Sequence, residues 1–334
     1  MKRMIFFLFL LFFFWQPHLS TGHESQPGTI DIVELGPTKY KITWRAPIYY
    51  GKPHPAQLVL PDDWKTIGQP TQIRRQNDIL FERVVSTEGK SIDGKVIKLA
   101  GLESTITNVF VKIKRADGSQ MTTLLSPTHP ATVLRGDRTW YVNAREYLLL
   151  GFHHILLGID HLLFVLGLLL IVKNGAMLVK TITSFTLAHS ITLGLATLGY
   201  AQVPLPPLNA AIALSILFLG PEIVRVRRGE SSLTIRYPWL IAFGFGLLHG
   251  FGFASGLSTA GMPTTELPLA LLSFNIGVEF GQLLFVFIAL SLAWAFRILQ
   301  IRWPRWVLWL PAYTVGSLGA YWTIQRTLML LRGM

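Results

Sequence analysis

Four side chains able to bind a metal ion or carry a proton lie close together in residues 152–164, FHHILLGIDHLLF. They are His153, His154, Asp160 and His161. Imidazole and carboxylate groups together suit borderline divalent ions such as nickel, cobalt and zinc. At about 100° per helical residue, His154 and His161 share one stripe, and His153 and Asp160 share another. A straight helix separates His154 from His161 by about 10 Å, which predicts successive stations or ligands completed by other helices.

This stretch lies inside an apolar run, Tyr147 to Val172, which predicts one transmembrane helix. Ionisable groups at bilayer depth are costly, so they are candidates for function. Other apolar runs carry further polar groups near their centres: His189, His249, Asn275 and Glu279. We expect no Lys or Arg at that depth to neutralise the acids. The pattern favours a shared metal site over scattered structural polar groups, an alternative that stays open.

The composition of the chain narrows its class. Of 334 residues, 51% are hydrophobic and 14% are charged, which is typical of a polytopic membrane protein with a smaller soluble part. The absence of cysteine excludes disulfides and thiolate sites. Much of the +12 net charge lies in short loops between apolar runs, where it sets topology. No nucleic-acid motif accompanies it, so no nucleic-acid partner is predicted.

The amino terminus has the pattern of a signal peptide. Lys2 and Arg3 precede an apolar run, and small residues follow at 20–22. We expect residues 1–22 to be removed, which would make His23 the mature terminus. An uncleaved signal anchor is the alternative.

Residues 23–135 predict an exported, all-β domain. Seven short β-rich runs alternate with turns in this region, as in an Ig-like sandwich. The runs are 29–35, 39–46, 56–61, 79–85, 95–100, 107–115 and 120–125. His54 and His129, each beside a proline, are interpreted as solvated loop histidines rather than ligands. Residues 136–146 are predicted to link this domain to the membrane.

Residues 147–334 predict an all-α bundle of about six transmembrane helices. The predicted spans are 147–172, 178–199, 207–225, 238–258, 267–296 and 306–330. Basic residues fall in alternate loops, which places the amino-terminal domain outside the cytoplasm. The last span is interpreted as packing, and Arg326 as part of an outer tail.

At these motifs the sequence resembles the HupE/UreJ family of bacterial membrane proteins, in its long form with an exported domain. HILLGIDH at 154–161 resembles the family signature, and the similarity continues through FTLAHSITL, IALSI, GFGLLHGFGFASGL and FNIGVEFGQL. Two departures are Ile155, where short forms often have Pro, and Asn209, where Glu is expected. The resemblance implies a nickel or cobalt permease. It implies metal handling by His154, Asp160 and His161, followed by these residues: His189, His249, Asn275 and Glu279.

The predicted function is inward transport of a divalent transition metal, nickel first and cobalt or zinc as alternatives, across the bacterial inner membrane. The predicted partners are the lipid bilayer and the metal-ion substrate. A periplasmic partner of the β-domain and the oligomeric state stay open. Three rivals remain: an intramembrane zinc hydrolase, a b-type cytochrome, and a membrane-anchored receptor or assembly factor for metal proteins.

Overall fold

The computed structural model describes these parts of the chain: 27–49, 52–75, 78–105, 107–134, 140–259, 267–299 and 304–332. The predicted signal peptide, residues 1–22, and the predicted mature terminus at His23 lie outside the described residues.

The amino-terminal part is rich in β-strands, as predicted. Within the described residues the strands are β1 (Gly28–Gly36), β2 (Lys39–Tyr49), β3 (Lys52–Pro53), β4 (Gln57–Val59), β5 (Lys65–Arg74), β6 (Asp78–Ser86), β7 (Val96–Ala100), β8 (Val109–Lys114), β9 (Gln120–Leu125) and β10 (Ala131–Val133). One sheet has the order β5-β6-β2-β1-β8-β9, with β3 paired to β2. A second sheet has the order β10-β7-β4. Strands β1 and β8 run parallel, with Gly28 opposite Val109.

Alternation along the strands builds one apolar core between the two sheets. Ile30 and Ile32 of β1 are fully buried, whereas Asp31 between them is partly exposed. Successive side chains of a strand point to opposite faces, so this alternation turns one face of the sheet inward. Ile97 and Leu99 of β7, in the second sheet, belong to the same buried cluster. The two sheets therefore form a single β-domain.

His54 lies in this domain but is not a solvated loop residue, so that expectation was wrong. Its side chain is buried, and its ring meets Trp44 edge-on with 6.0 Å between ring centroids. Its Nδ1 accepts a hydrogen bond from the backbone N–H of Ala56 at 3.1 Å. Burial lowers the pKa of His54 to about 4, so the imidazole is neutral at physiological pH. His129, in contrast, is exposed as expected.

The carboxyl-terminal part is helical. Within the described residues the helices are α1 (Trp140–Leu157), α2 (Ile159–Ile171), α3 (Gly175–Thr197), α4 (Leu205–Arg228), α5 (Leu233–Arg236), α6 (Pro238–Thr259), α7 (Leu267–Ile298) and α8 (Leu310–Arg332). Helix α1 therefore begins inside the predicted linker, 136–146. The side chain of Asn174 caps α3 by accepting hydrogen bonds from Ala176 and Met177.

The helices pack in pairs, α3 with α6, α4 with α8 and α1 with α7. Glycine allows the close approach. A Cβ atom at Gly277 of α7 would lie 2.0 Å from the backbone oxygen of Leu148 in α1. At Gly220 of α4 it would lie 2.7 Å from the Cα of Gly316 in α8. Small residues at such positions let two helices pack backbone against backbone.

The apolar run from Tyr147 to Val172 is not one straight span, which corrects the prediction. It is divided into α1 and α2, which meet at Gly158 with a bend of 72°. By length and composition α4 is long and apolar enough to cross a membrane, and so is α7 over Leu267–Phe296. The bent pair α1–α2 provides a third candidate if it counts as one span.

The β-domain contacts the helical part through β8. Phe110 is fully buried in an apolar cluster that also contains Tyr147 and Leu150 of α1 and Phe274 of α7. This contact places the β-domain against the α1–α7 pair.

Candidate metal site

The break at Gly158 brings His154 and His161 together. His154 lies in the last turn of α1 and His161 in the first turn of α2, and their ring centroids are 4.8 Å apart. The expected separation of about 10 Å applied to a straight helix, and the bend removes it. Two imidazoles from one sequence motif can therefore face the same ion.

Glycine at position 158 is required by sterics rather than by its dihedral angles. Its φ is −79°, which any residue can adopt. An added Cβ, however, would lie 2.7 Å from the backbone oxygen of His154 and 2.8 Å from Nδ1 of His161. The missing side chain leaves the space that the His161 ring occupies.

His189 of α3 completes a group that we call the histidine cluster: His154, His161 and His189. One ring nitrogen of each residue lies within 4.8 Å of one ring nitrogen of each of the others. His161 and His189 are buried, whereas His154 is partly exposed. The cluster thus joins α1, α2 and α3, and His154 is its least buried residue.

Asn275 of α7 determines which ring nitrogen of His189 carries the hydrogen. Its Nδ2 donates to the backbone oxygen of Leu271 at 2.8 Å, so its Oδ1 is the atom that faces Nδ1 of His189 at 3.3 Å. Because Oδ1 only accepts, Nδ1 of His189 carries the hydrogen. The lone pair is then on Nε2, which is buried and has no hydrogen-bond partner among the described residues. A ring nitrogen with its lone pair available in this way can coordinate a cation.

His249 of α6 lies beside the histidine cluster, with its ring centroid 5.0 Å from that of His161. The hydroxyl of Ser215 donates to the backbone oxygen of Ile212 at 2.6 Å, so its oxygen accepts from Nε2 of His249 at 3.1 Å. The lone pair of His249 is therefore on Nδ1, which is buried and unpartnered within the part of the chain that the structure describes.

Aromatic rings enclose the site on two sides. Phe253 and Phe274 stack with 4.7 Å between centroids, and the ring of His154 lies 4.5 Å from that of Phe253. Phe164 and Phe185 lie against His249, with centroid distances of 5.4 Å and 5.2 Å. These rings give the site apolar walls, against which the imidazoles are the polar groups.

Asp160 has a basic partner, which corrects the expectation that the buried acids have none. Its Oδ2 accepts a hydrogen bond from Nη2 of Arg326 in α8 at 2.7 Å, and both side chains are buried. The sequence contained a signal for this partner, because Arg326 falls within the predicted span 306–330. The prediction that Arg326 belongs to an outer tail is therefore wrong, and the last span does more than pack.

Glu279 lies apart from the histidine cluster. It is partly exposed, and its Oε1 accepts a hydrogen bond from the hydroxyl of Thr183 at 2.6 Å. Asn275 and Glu279 therefore share a helix but contact different groups on α3. His153 is exposed and its ring meets that of Phe152 at 5.8 Å, so it also faces away from the cluster.

The described residues define a class of protein: a bundle of apolar helices that encloses clustered imidazoles and carries a β-domain. The model of the family described as HupE / UreJ protein matches residues 131–326, and the chain belongs to this family. The predicted resemblance is thereby confirmed, and with it association with a membrane. Neither a curated protein nor a solved structure matches the chain.

Proposed function

We propose that the chain moves a divalent transition metal, nickel or cobalt, through the membrane by way of the histidine cluster. The family is associated with nickel and cobalt transport. The observation that carries the proposal is the convergence of three ring nitrogens, from His154, His161 and His189, within 4.8 Å of one another. Neutral imidazole donors suit nickel, cobalt and zinc better than manganese or magnesium.

The ligand set supports transport rather than permanent storage. Three imidazoles leave the coordination of a nickel or cobalt ion incomplete, and conduction requires sites weak enough to release the ion. His154 is partly exposed and receives the ion. His161 and His189 hold it in the interior, and His249 is the next donor along the route. Asp160, Asn275 and Glu279 stay predictions as direct ligands, since each has another polar partner.

The proposal includes the arrangement of the chain in the bilayer. Six spans place the Ig-like β-domain outside the cytoplasmic membrane of a bacterium, and the loops after α2 and α4 inside. Basic residues in or beside those loops support this orientation: Lys173 follows α2, and Arg227 and Arg228 end α4. The bilayer and the metal ion are the proposed partners.

Single cysteines test the orientation, because the protein has none of its own. Ser119 in the β-domain and Ser231 after α4 are both exposed. In intact spheroplasts an impermeant maleimide is expected to label the Ser119→Cys protein and to spare Ser231→Cys until the membrane is permeabilised. Labelling of Ser231→Cys in intact spheroplasts contradicts the orientation.

Metal binding and uptake by the purified protein test the function. Reconstituted into proteoliposomes, it is expected to take up radiolabelled nickel or cobalt and to discriminate against manganese. Replacing His189 by alanine should lower cobalt affinity at least about tenfold, since even the loss of a residue that only supports a metal ligand has that effect.

The matched control is His153→Ala, which removes an exposed imidazole one residue from His154. This variant should retain nearly full affinity and uptake. Stoichiometric, tightly held zinc without uptake would instead support the intramembrane hydrolase. Equal effects of His153→Ala and His189→Ala would remove the histidine cluster from the mechanism.

A further inference from the structure

The ion pair between Arg326 and Asp160 is buried next to the histidine cluster. The two side chains are at most 4% exposed, and Nη2 of Arg326 lies 2.7 Å from Oδ2 of Asp160. Removing two charges from water is costly, and such a pair is retained only where its geometry is well satisfied. A pair buried at this position is therefore expected to have a structural or functional role.

Arg326 joins three helices. Besides Asp160 in α2, it contacts the backbone oxygen of Asn209 in α4, to which its Nη1 donates at 3.0 Å. Its guanidinium carbon lies 5.8 Å from the ring centroid of Trp322, one turn earlier in α8. A planar guanidinium can hold two acceptors in fixed directions, which a lysine cannot. Arg326 thus fixes the start of α2 against α4 and α8.

The first turn of α2 sets the orientation of the His161 side chain in the site. Asp160 directly follows the break at Gly158 and directly precedes His161. Gly158, the N-cap residue of α2, has no side chain with which to cap the first turn. The hydrogen bond from Arg326 is therefore a side-chain anchor for the turn that aims the His161 ring at His154. It also neutralises the carboxylate that directly precedes His161.

We propose that Arg326 is a positioning residue for the histidine cluster, acting through Asp160, and that Asp160 supports His161 instead of binding the ion. This inference rests on the proposed function. The competing role for Asp160 is that of a direct ligand through Oδ1, which has no hydrogen-bond partner among the described residues. The two roles predict opposite results for a variant in which both Asp160 and Arg326 are replaced.

The test compares Asp160→Asn, Arg326→Gln and the double variant that carries both changes. Each single change leaves one buried charge without its partner, and should lower cobalt affinity about ten- to a hundredfold. The double variant removes both charges; Asn keeps the size of Asp160, and Gln is shorter than Arg but still carries a hydrogen-bond donor. We expect it to regain most of the affinity, together with the cobalt ligand-field spectrum of the unmodified protein.

The rival role predicts the opposite result. If Asp160 is a ligand, the double variant stays as weak as Asp160→Asn and its cobalt spectrum differs from that of the unmodified protein. That result overturns the proposal. Arg326→Lys keeps the charge but loses the second hydrogen bond, so a positioning role predicts partial rescue relative to Arg326→Gln.

Amide hydrogen exchange over residues 158–165 provides a readout that needs no metal. Exchange there should be faster in Arg326→Gln and return toward the original rate in the double variant, because the start of α2 is anchored only when the charges are paired or both absent. If the unmodified protein binds no cobalt but this exchange pattern holds, the proposed function fails and the positioning role stands. Unchanged exchange in Arg326→Gln overturns the positioning role, whatever the metal data show.

Discussion

Replacing Gly158 by alanine is expected to lower the affinity of the histidine cluster for cobalt by about a hundredfold while the protein still reaches the membrane. The backbone conformation at Gly158 admits an alanine, but the new Cβ would lie 2.8 Å from Nδ1 of His161 and 2.7 Å from the backbone oxygen of His154. The His161 ring must turn away to make room. Alanine also favours a continuous helix over α1 and α2, which would return the two rings to a separation of about 10 Å.

Cobalt titration of the purified protein, followed by ligand-field absorption, measures this effect. Gly175→Ala is a suitable control, because an added Cβ at Gly175 meets no atom within 4 Å. The control should bind cobalt as the unmodified protein does. An unchanged affinity in Gly158→Ala would show that the bend at Gly158 does not build the site.

The sequence predicted the strands wherever one face of the sheet is buried. Strand β1 shows this well, since Ile30 and Ile32 alternate with the more polar Asp31. Strand β5, Lys65–Arg74, was not predicted because every one of its residues is exposed, and without a buried face there is no alternation to detect. Strands β3 and β10 are too short to produce a pattern.

The cost of placing ionisable groups in a membrane allowed the residue types of the candidate site to be predicted from the sequence. It did not allow their geometry to be predicted. Isolated glycines within an apolar run are compatible with a straight helix, and residues 147–172 contain three of them, so the sequence did not reveal the break at Gly158. The partner of Asp160 was also missed, because Arg326 is 166 residues away in the chain. Local spacing cannot reveal a contact between helices so distant in sequence.

The distribution of charge explains how a cation could be held without being trapped. The acidic side chains around the bundle already have partners: Asp160 has Arg326, Glu222 has Arg225 and Ser232, and Glu279 has the Thr183 hydroxyl. The donors at the centre are imidazoles. A divalent ion among neutral nitrogens lacks the strong attraction of a carboxylate, which favours release over permanent binding.

Replacing Gly250 by alanine is expected to destabilise the bundle by about 3 kcal/mol and to disrupt the histidine cluster at the same time. Gly250 of α6 packs against α3 so closely that a Cβ would lie 2.3 Å from the backbone oxygen of His189 and 2.1 Å from Oγ1 of Thr192. The backbone oxygen cannot rotate away, so α6 must move from α3. That movement separates His249 from the ring of His189.

Thermal unfolding in detergent, read alongside cobalt affinity, checks this result, and Gly244→Ala is the matched control on the same helix. A Cβ at Gly244 meets no atom within 4 Å, and alanine is the better helix former, so this variant should be as stable as the unmodified protein or slightly more so. If Gly250→Ala and Gly244→Ala unfold at the same temperature and bind cobalt equally well, then α3 and α6 do not pack at Gly250 as the structure shows. If only Gly250→Ala loses stability and cobalt affinity, the site requires the close packing of α3 and α6. The absence of a Cβ at residue 250 then permits both the packing and metal binding.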